Sequence, residues 1–191
     1  MKKIHTRESI KESTKNLIWE KGIKDTSIVD ICKNADISRM TFYREYNNKN
    51  EIVIEIFSEY YQELTNKHLI ILNKPIPFIE RLNELIYIKL DFINNMSRNL
   101  INDLLHQKNP ELKLLLEEQR QKSFEILFQQ IITEQKKGHF RKDINLEFLK
   151  YYLNKLSEFI LDPNLISIFP DTSELIKEIN KIFYFGILER Y

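Results

Sequence analysis

Three glycines and five prolines are all the conformational punctuation that these 191 residues contain, and their positions decide how the chain can be divided. Proline lacks an N–H and glycine is unusually free, so long stretches without either favour continuous regular elements. Pro75 and Pro77 interrupt one long segment, Pro110 opens another that Gly138 closes, and Pro163 with Pro170 bracket a short connection. Between these marks apolar residues recur at spacings of three and four, the signature of one helix face, without sustained alternation of period two. The chain reads as all-α, with about nine helices near 7–21, 27–34, 38–45, 48–73, 76–95, 97–107, 110–137, 145–161 and 172–189.

A hydrophobic content of 42% supports a substantial core. No run approaches the roughly 18 apolar residues of a membrane span. The Met1-Lys2-Lys3-Ile4-His5 start leads into charged sequence rather than an apolar signal core, and the expected location is the cytoplasm. Cys32, the single cysteine, reads as a small buried hydrophobe. Residues 1–52 carry eleven Lys and Arg against eight acids, whereas the remainder is net −2, an asymmetry that permits phosphate binding without requiring it.

The first helix has Thr6 as its expected cap, buries Ile10, Leu17 and Ile18, and ends at Gly22. Thr26-Ser27 can cap a second helix whose inner face is Ile28, Ile31, Cys32 and Ala35. Asp36 stands where the chain must turn, a place where Asp tolerates the left-handed region better than most residues. Ser38 then caps a short third helix through Tyr46. Two short helices joined by about three residues, the second rich in Arg, Thr and Tyr on its outer side, have the architecture of a helix-turn-helix DNA reader.

The spacing Gly22-x-x-x-Thr26-Ser27-x-x-x-Ile31-Cys32-x-x-Ala35-Asp36-Ile37-Ser38-x-x-Thr41-Phe42-Tyr43-x-x-Tyr46-x-x-Lys49-x-x-Ile52 resembles the amino-terminal domain of the TetR/AcrR family. Asp36 stands at the family's usual turn glycine, Cys32 at its usual alanine, Met40 at a frequent glycine and Tyr46 at a usual Phe. The resemblance implies that Ser38, Arg39, Met40 and Thr41 face the groove floor, with Arg39 aimed at guanine and the Thr41 methyl at thymine. Tyr43 and Arg44 would grip phosphates. Thr26 and Ser27, with hydroxyls and open N–H groups at a helix start, and Lys49 at the start of the fourth helix would do the same. Ile31, Ile37, Phe42 and Tyr46 would be core. Glu45 is an acid where phosphate must approach.

The resemblance divides the chain into a DNA-binding domain at 1–50 and a helical ligand-sensing and dimerisation domain at 51–191. Gly138-His139-Phe140-Arg141-Lys142-Asp143-Ile144-Asn145 resembles a connector that family members carry before their last two helices. Phe140 and Ile144 would plug the core, and Asp143 or Asn145 would cap the next helix. Apolar faces at Leu149, Tyr152, Leu153, Leu156, Phe159 and Ile160, and at Leu175, Ile176, Ile179, Ile182 and Phe183, would form a homodimer interface, as a palindromic operator demands. Candidate walls of an effector pocket are Phe57, Tyr60, Tyr61, Phe78, Tyr87, Phe92, Leu104, Phe124, Leu127 and Phe128, because tyrosines among aromatic helix faces suit an apolar cavity with a few orienting hydroxyls.

The expected function is a transcriptional regulator, a homodimeric repressor released from double-stranded DNA by a small molecule, with the fourth helix as lever. No cofactor is expected. The alternative is a helical adaptor or co-activator answering to a protein partner, an idea that Glu45 supports. An enzyme is not expected: zinc-protease, phosphate-loop and nucleophile-elbow patterns are missing. Asp103 and His106 form a single carboxylate–imidazole pair where a di-iron bundle would need two.

Overall fold

The structure, a computed structural model, describes residues 2–159, 163–169 and 172–187. Ten helices and no strand are present among the described residues: α1 (Lys2–Lys21), α2 (Ile28–Asn34), α3 (Arg39–Glu45), α4 (Lys49–Leu72), α5 (Phe78–Asn94), α6 (Arg98–Leu105), α7 (Pro110–Lys136), α8 (Leu146–Phe159), α9 (Pro163–Ile168) and α10 (Thr172–Ile187). Two differ from expectation. α1 does not start at Thr6 but has already begun at Lys2, since no Pro or Gly interrupts the intervening residues. The stretch after Pro163 forms the one-and-a-half turns of α9, with the proline at the first helical position, where its missing N–H costs nothing.

Helix ends follow local chemistry. Ser27, Ser38 and Ser97 cap α2, α3 and α6. Asn109 Oδ1 accepts the Leu112 N–H and Asn145 Oδ1 that of Phe148, each at 2.9 Å. Gly138, at φ 85°, lets α7 close with the His139 N–H bonded to the Glu134 carbonyl at 3.0 Å.

The described chain forms two compact units, residues 1–68 with 94–120 and residues 69–93 with 121–191, and passes between them within α4, at the end of α5 and within α7. The first unit therefore extends well past residue 50. Its core holds Ile10, Ile18, Ile31, Phe42, Ile52, Phe57 and Leu100, with Trp19 stacked on Phe57 at 5.5 Å. Leu100 belongs to α6, which docks on the end of α1: the Ser97 N–H bonds to the Trp19 carbonyl at 3.0 Å.

The core of the second unit gathers Leu72, Phe78, Leu82, Ile131, Phe140, Leu149 and Phe183. Phe140 meets Phe78 edge-on at 5.0 Å and Ile144 packs against the same cluster, so the connector does plug the core. Beside it lies a fully buried carboxylate. Glu134 takes Arg81 at 3.1 Å, Lys137 at 2.9 Å and the His139 Nδ1 at 2.6 Å. Burial alone would raise its pKa, but these three donors outweigh burial and hold it at about 2.

Candidate nucleic-acid interface

The α2–α3 turn depends on Asp36. The Ile37 N–H reaches back to the Cys32 carbonyl at 3.0 Å and the Asp36 N–H to that of Lys33 at 3.4 Å, which requires a left-handed residue between helix and exit. Asp36 supplies it at φ 50°, where the family resemblance leads one to expect glycine. The chain then leaves α2 directed so that Ser38 begins α3, its Oγ accepting the Thr41 N–H at 3.1 Å and lying 2.9 Å from Thr41 Oγ1.

α3 has two unlike sides. Phe42 is wholly buried and Tyr46, just beyond the helix, nearly so. Arg39, Met40, Tyr43 and Arg44 are exposed on the other side, with Met40 at 84% and Tyr43 at 55%. Apolar and aromatic surface standing beside two guanidinium groups suits a partner offering phosphates and flat base edges.

Arg7, which the sequence pattern did not single out, braces this helix from behind. Its guanidinium bonds to the Glu45 carbonyl at 2.8 Å, pairs with Glu55 at 2.5 Å and lies over the Tyr46 ring at 4.2 Å. The Tyr46 hydroxyl is buried, with no hydrogen-bond partner among the described residues. The Glu45 carboxylate is only 5% exposed and pairs with Arg44 at 3.2 Å. It therefore presents little charge to an approaching phosphate.

The start of α2 differs from the expected phosphate clamp. The Thr26 hydroxyl is fully buried and donates to the Gly22 carbonyl at 2.7 Å, so it cannot reach DNA. Ser27 is exposed, but its N–H and hydroxyl are taken by Asp30 Oδ2 at 3.0 and 2.8 Å. Those bonds and the Lys21 ammonium hold the Asp30 carboxyl at about 2, leaving a fixed negative charge where an anion was expected. Lys49 turns its ammonium inward onto the carbonyls of Ile23 and Thr26, at 2.5 and 2.6 Å. Burial lowers its pKa from the usual lysine value. Thr26, Ser27 and Lys49 thus hold the turn between α1 and α2 together.

Residues 10–56, which span these three helices and the start of the fourth, match the family model of the bacterial regulatory proteins, tetR family. The resemblance to the TetR family is carried by this domain. No curated protein matches it in sequence. Its fold is that of solved TetR-type chains. A protein described as a transcriptional regulator from Saccharomonospora viridis, in complex with choline, superposes with a TM-score of 0.79 at 20% identity, covering 96% of this chain and 98% of that one. A TetR transcription regulator from Haloarcula marismortui gives 0.76 at 16% identity, with 96% and 98% covered. The regulator FadR from Bacillus subtilis, in complex with stearoyl-CoA, gives 0.68 at 18% identity, with 91% and 95% covered. Residues 10–56 therefore resemble a regulator's DNA-reading domain, not a catalytic one. Asp103 and His106 have structural duties instead. Asp103 holds Lys24, and His106 ends α6 with its Nδ1 at 3.0 Å from the Asn102 carbonyl.

The aromatic residues expected to wall a pocket divide between the two units. In the first, Phe57 is fully buried between Trp19 and Tyr61, Tyr60 meets Tyr61 edge-on, and Leu104 is half-buried. Burial pushes the Tyr61 hydroxyl up to about 12. In the second, Phe78 and Phe128 are core, Phe124 stacks on Phe128 at 5.9 Å, and Leu127 and Phe92 are half-buried. Tyr87 is the exception: it is 72% exposed, because it stands on the side of α5 opposite Phe78 and Leu82. A surface cleft of about 500 Å³ in the first unit is lined by Asn48, Asn50, Glu51, Ile54, Asn109, Pro110 and Glu111, none of them an expected wall residue.

Of the residues expected to pair two subunits, Leu149, Leu175, Ile176 and Phe183 are buried within the protomer. Tyr152, Leu153 and Ile179 are half-buried, and Ile182 is exposed. Ile160 and the side chains of Leu156 and Phe159 lie outside the described residues. Phe148 and Tyr151, which the sequence pattern did not single out, stand exposed on α8.

Proposed function

We propose that this regulator is a repressor that binds a palindromic operator as a homodimer in the cytoplasm and is released by a small-molecule effector. Residues 1–50 read the DNA, and residues 51–191 sense and pair. The observation that carries this reading is the exposed side of α3, where Arg39, Met40, Tyr43 and Arg44 stand together with Ser38 and Thr41 at the amino end. A recognition helix enters the major groove amino end first, which assigns Ser38 to Thr41 to base edges and Tyr43 and Arg44 to phosphates. The adaptor reading loses its support, since the Glu45 carboxylate is folded away and paired with Arg44.

Pairing through α8 and α10 is supported by Phe148, Tyr151 and Ile182, three large apolar side chains left standing in water. A small-molecule effector is supported by the fold neighbours solved with choline and with stearoyl-CoA. The effector acts by differential affinity, binding better to a form whose two reading heads are wrongly spaced. α4 is one lever. α6 is a second, because Asp103 and Ser97 tie it to the turn and helix end on which α2 and α3 are mounted.

Selection of bound sequences from random duplex DNA tests the reading. The wild type should enrich a palindrome in a salt-sensitive manner, and Arg39→Ala and Tyr43→Ala should lose it. Absence of enrichment at low salt would remove the DNA-reading assignment. Phe148→Asp with Tyr151→Asp should yield monomers in sedimentation, and an unchanged dimer would move the interface elsewhere.

A further inference from the structure

Arg7, Lys11 and Lys15 stand four residues apart on α1, and Glu55, Glu59 and Glu63 stand four apart on α4, so each set shares one helix face. Base and acid are offset by 48 residues in every pair. Two pairs close, Arg7 on Glu55 at 2.5 Å and Lys11 on Glu59 at 2.7 Å. At the third, Lys67 and, to a lesser extent, Lys15 hold the Glu63 carboxyl below its usual value. The matched spacing sets the register of α1 against α4. Of the three bases, Arg7 alone among the described residues also reaches α3. Its Nε and Nη2 donate to the two oxygens of Glu55 at 3.4 and 2.5 Å, and its Nη1 donates to the Glu45 carbonyl at 2.8 Å. Glu45 is the last residue of α3, where carbonyls lack partners within the helix and the dipole favours a cation. The guanidinium also lies over the Tyr46 ring at 4.2 Å. A rigid planar fork can do all of this at once, and an ammonium cannot.

We propose that Arg7 is a positioning residue for DNA reading: it clamps the carboxyl end of α3 to Glu55, so that the tilt of the recognition helix follows α4. The inference rests on the DNA-reading assignment of α3 and adds to it a residue that acts through that helix. Hydrogen bonds to base edges weaken steeply with misalignment, so a recognition helix released at its far end loses contacts at its amino end. The same clamp gives a movement of α4 a direct route to α3, beside the two-residue link of Asn47 and Asn48.

Affinity of the full chain for the palindrome enriched from random duplex DNA, measured well below the melting temperature of every variant, tests this. Glu55→Gln decides by sign. Removing an acid tightens binding to a polyanion by charge alone, whereas freeing Arg7 should weaken it about tenfold, or about 1.4 kcal/mol. Arg7→Lys keeps the charge but loses the fork, and should weaken binding by a similar factor. Lys11→Met removes a base from the same face but no contact to α3, and should change affinity by less than about threefold. Amide exchange in the protein without DNA gives a second readout. The Tyr46 N–H, bonded to the Phe42 carbonyl at 2.9 Å, should exchange about tenfold faster in Arg7→Lys, while the Ala35 N–H at the end of α2 keeps the wild-type rate. The proposal is overturned if Glu55→Gln tightens binding, if Arg7→Lys binds as wild type does, if Lys11→Met loses as much, or if exchange at Tyr46 is unaltered. Absence of an enriched palindrome removes the DNA-reading assignment and leaves Arg7 with the clamp alone, which the exchange rate still decides.

Discussion

The carboxylate of Asp103 on α6 holds Lys24 twice, Oδ2 accepting its backbone N–H at 2.9 Å and Oδ1 its ammonium at 2.9 Å. Asp103 is buried, which by itself raises its pKa, but the Lys24 and Ile23 N–H groups and the Lys24 ammonium together bring it below the usual carboxylate value. Asp103→Ala leaves that turn without its acceptor. The expected loss is about 1–3 kcal/mol in urea unfolding, with altered emission from Trp19, the only tryptophan, whose carbonyl holds Ser97. Full stability in the variant would mean that α6 is held by packing alone.

Gly22 lies against the same carboxylate. It adopts φ 93°, and a Cβ there would meet Asp103 Oδ2 at 2.9 Å, the Asn99 Cβ at 3.0 Å and the Asn99 backbone at 3.2 Å. Gly22→Ala combines a left-handed strain with a collision against backbone, and should cost about 2 kcal/mol or more by denaturant unfolding. Gly138→Ala is the control: its φ is also positive, but nothing lies within 4 Å of the added carbon, so it should cost less.

Acid should act through Glu134. Its folded pKa of about 2 lies below the ordinary 4.5, so it contributes stability that is fully present above the ordinary value and is lost as pH falls through about 2. Glu134→Gln strands the Arg81 guanidinium in the core, at an expected cost of about 3 kcal/mol near neutral pH. The variant should also lose less stability than wild type between about pH 5 and 2. Parallel acid limbs in thermal melts would contradict this assignment.

Lys49 and Arg44 should separate under salt. Arg44→Ala should weaken DNA binding and reduce the slope of log affinity against log salt by about 1. Lys49→Ala should instead lower the melting temperature, because two carbonyls lose their donor. If Lys49→Ala changes the salt slope and leaves the melt alone, the inward position of its ammonium is not the one DNA meets.

Legibility follows the range of the interaction. Ser27, Ser38, Asn109, Asp36 and Gly138 were readable because a cap or a left-handed turn is decided within a few residues. Phe42 and Ile31 were readable from periodicity. Arg7, Asp103 and Glu134 were not, because what each does depends on a partner far along the chain: Glu55 for Arg7, Lys24 for Asp103, Arg81 for Glu134. Lys49 shows the same gap from the other side. Its position in the motif suggested a phosphate, but only the folded turn reveals the carbonyls that occupy it. Tyr87 is aromatic yet stands outside the core, because its place in the α5 repeat puts it opposite Leu82.

The lone thiol makes a ruler possible. Cys32 is buried, and burial raises its pKa, so it should resist alkylation under conditions that modify a surface cysteine. A cysteine introduced at Met40, which stands 84% exposed on α3, should then take a spin label without first stripping the natural sequence. In a paired molecule two such labels would report the separation of the reading heads directly, and its change when a candidate effector is added.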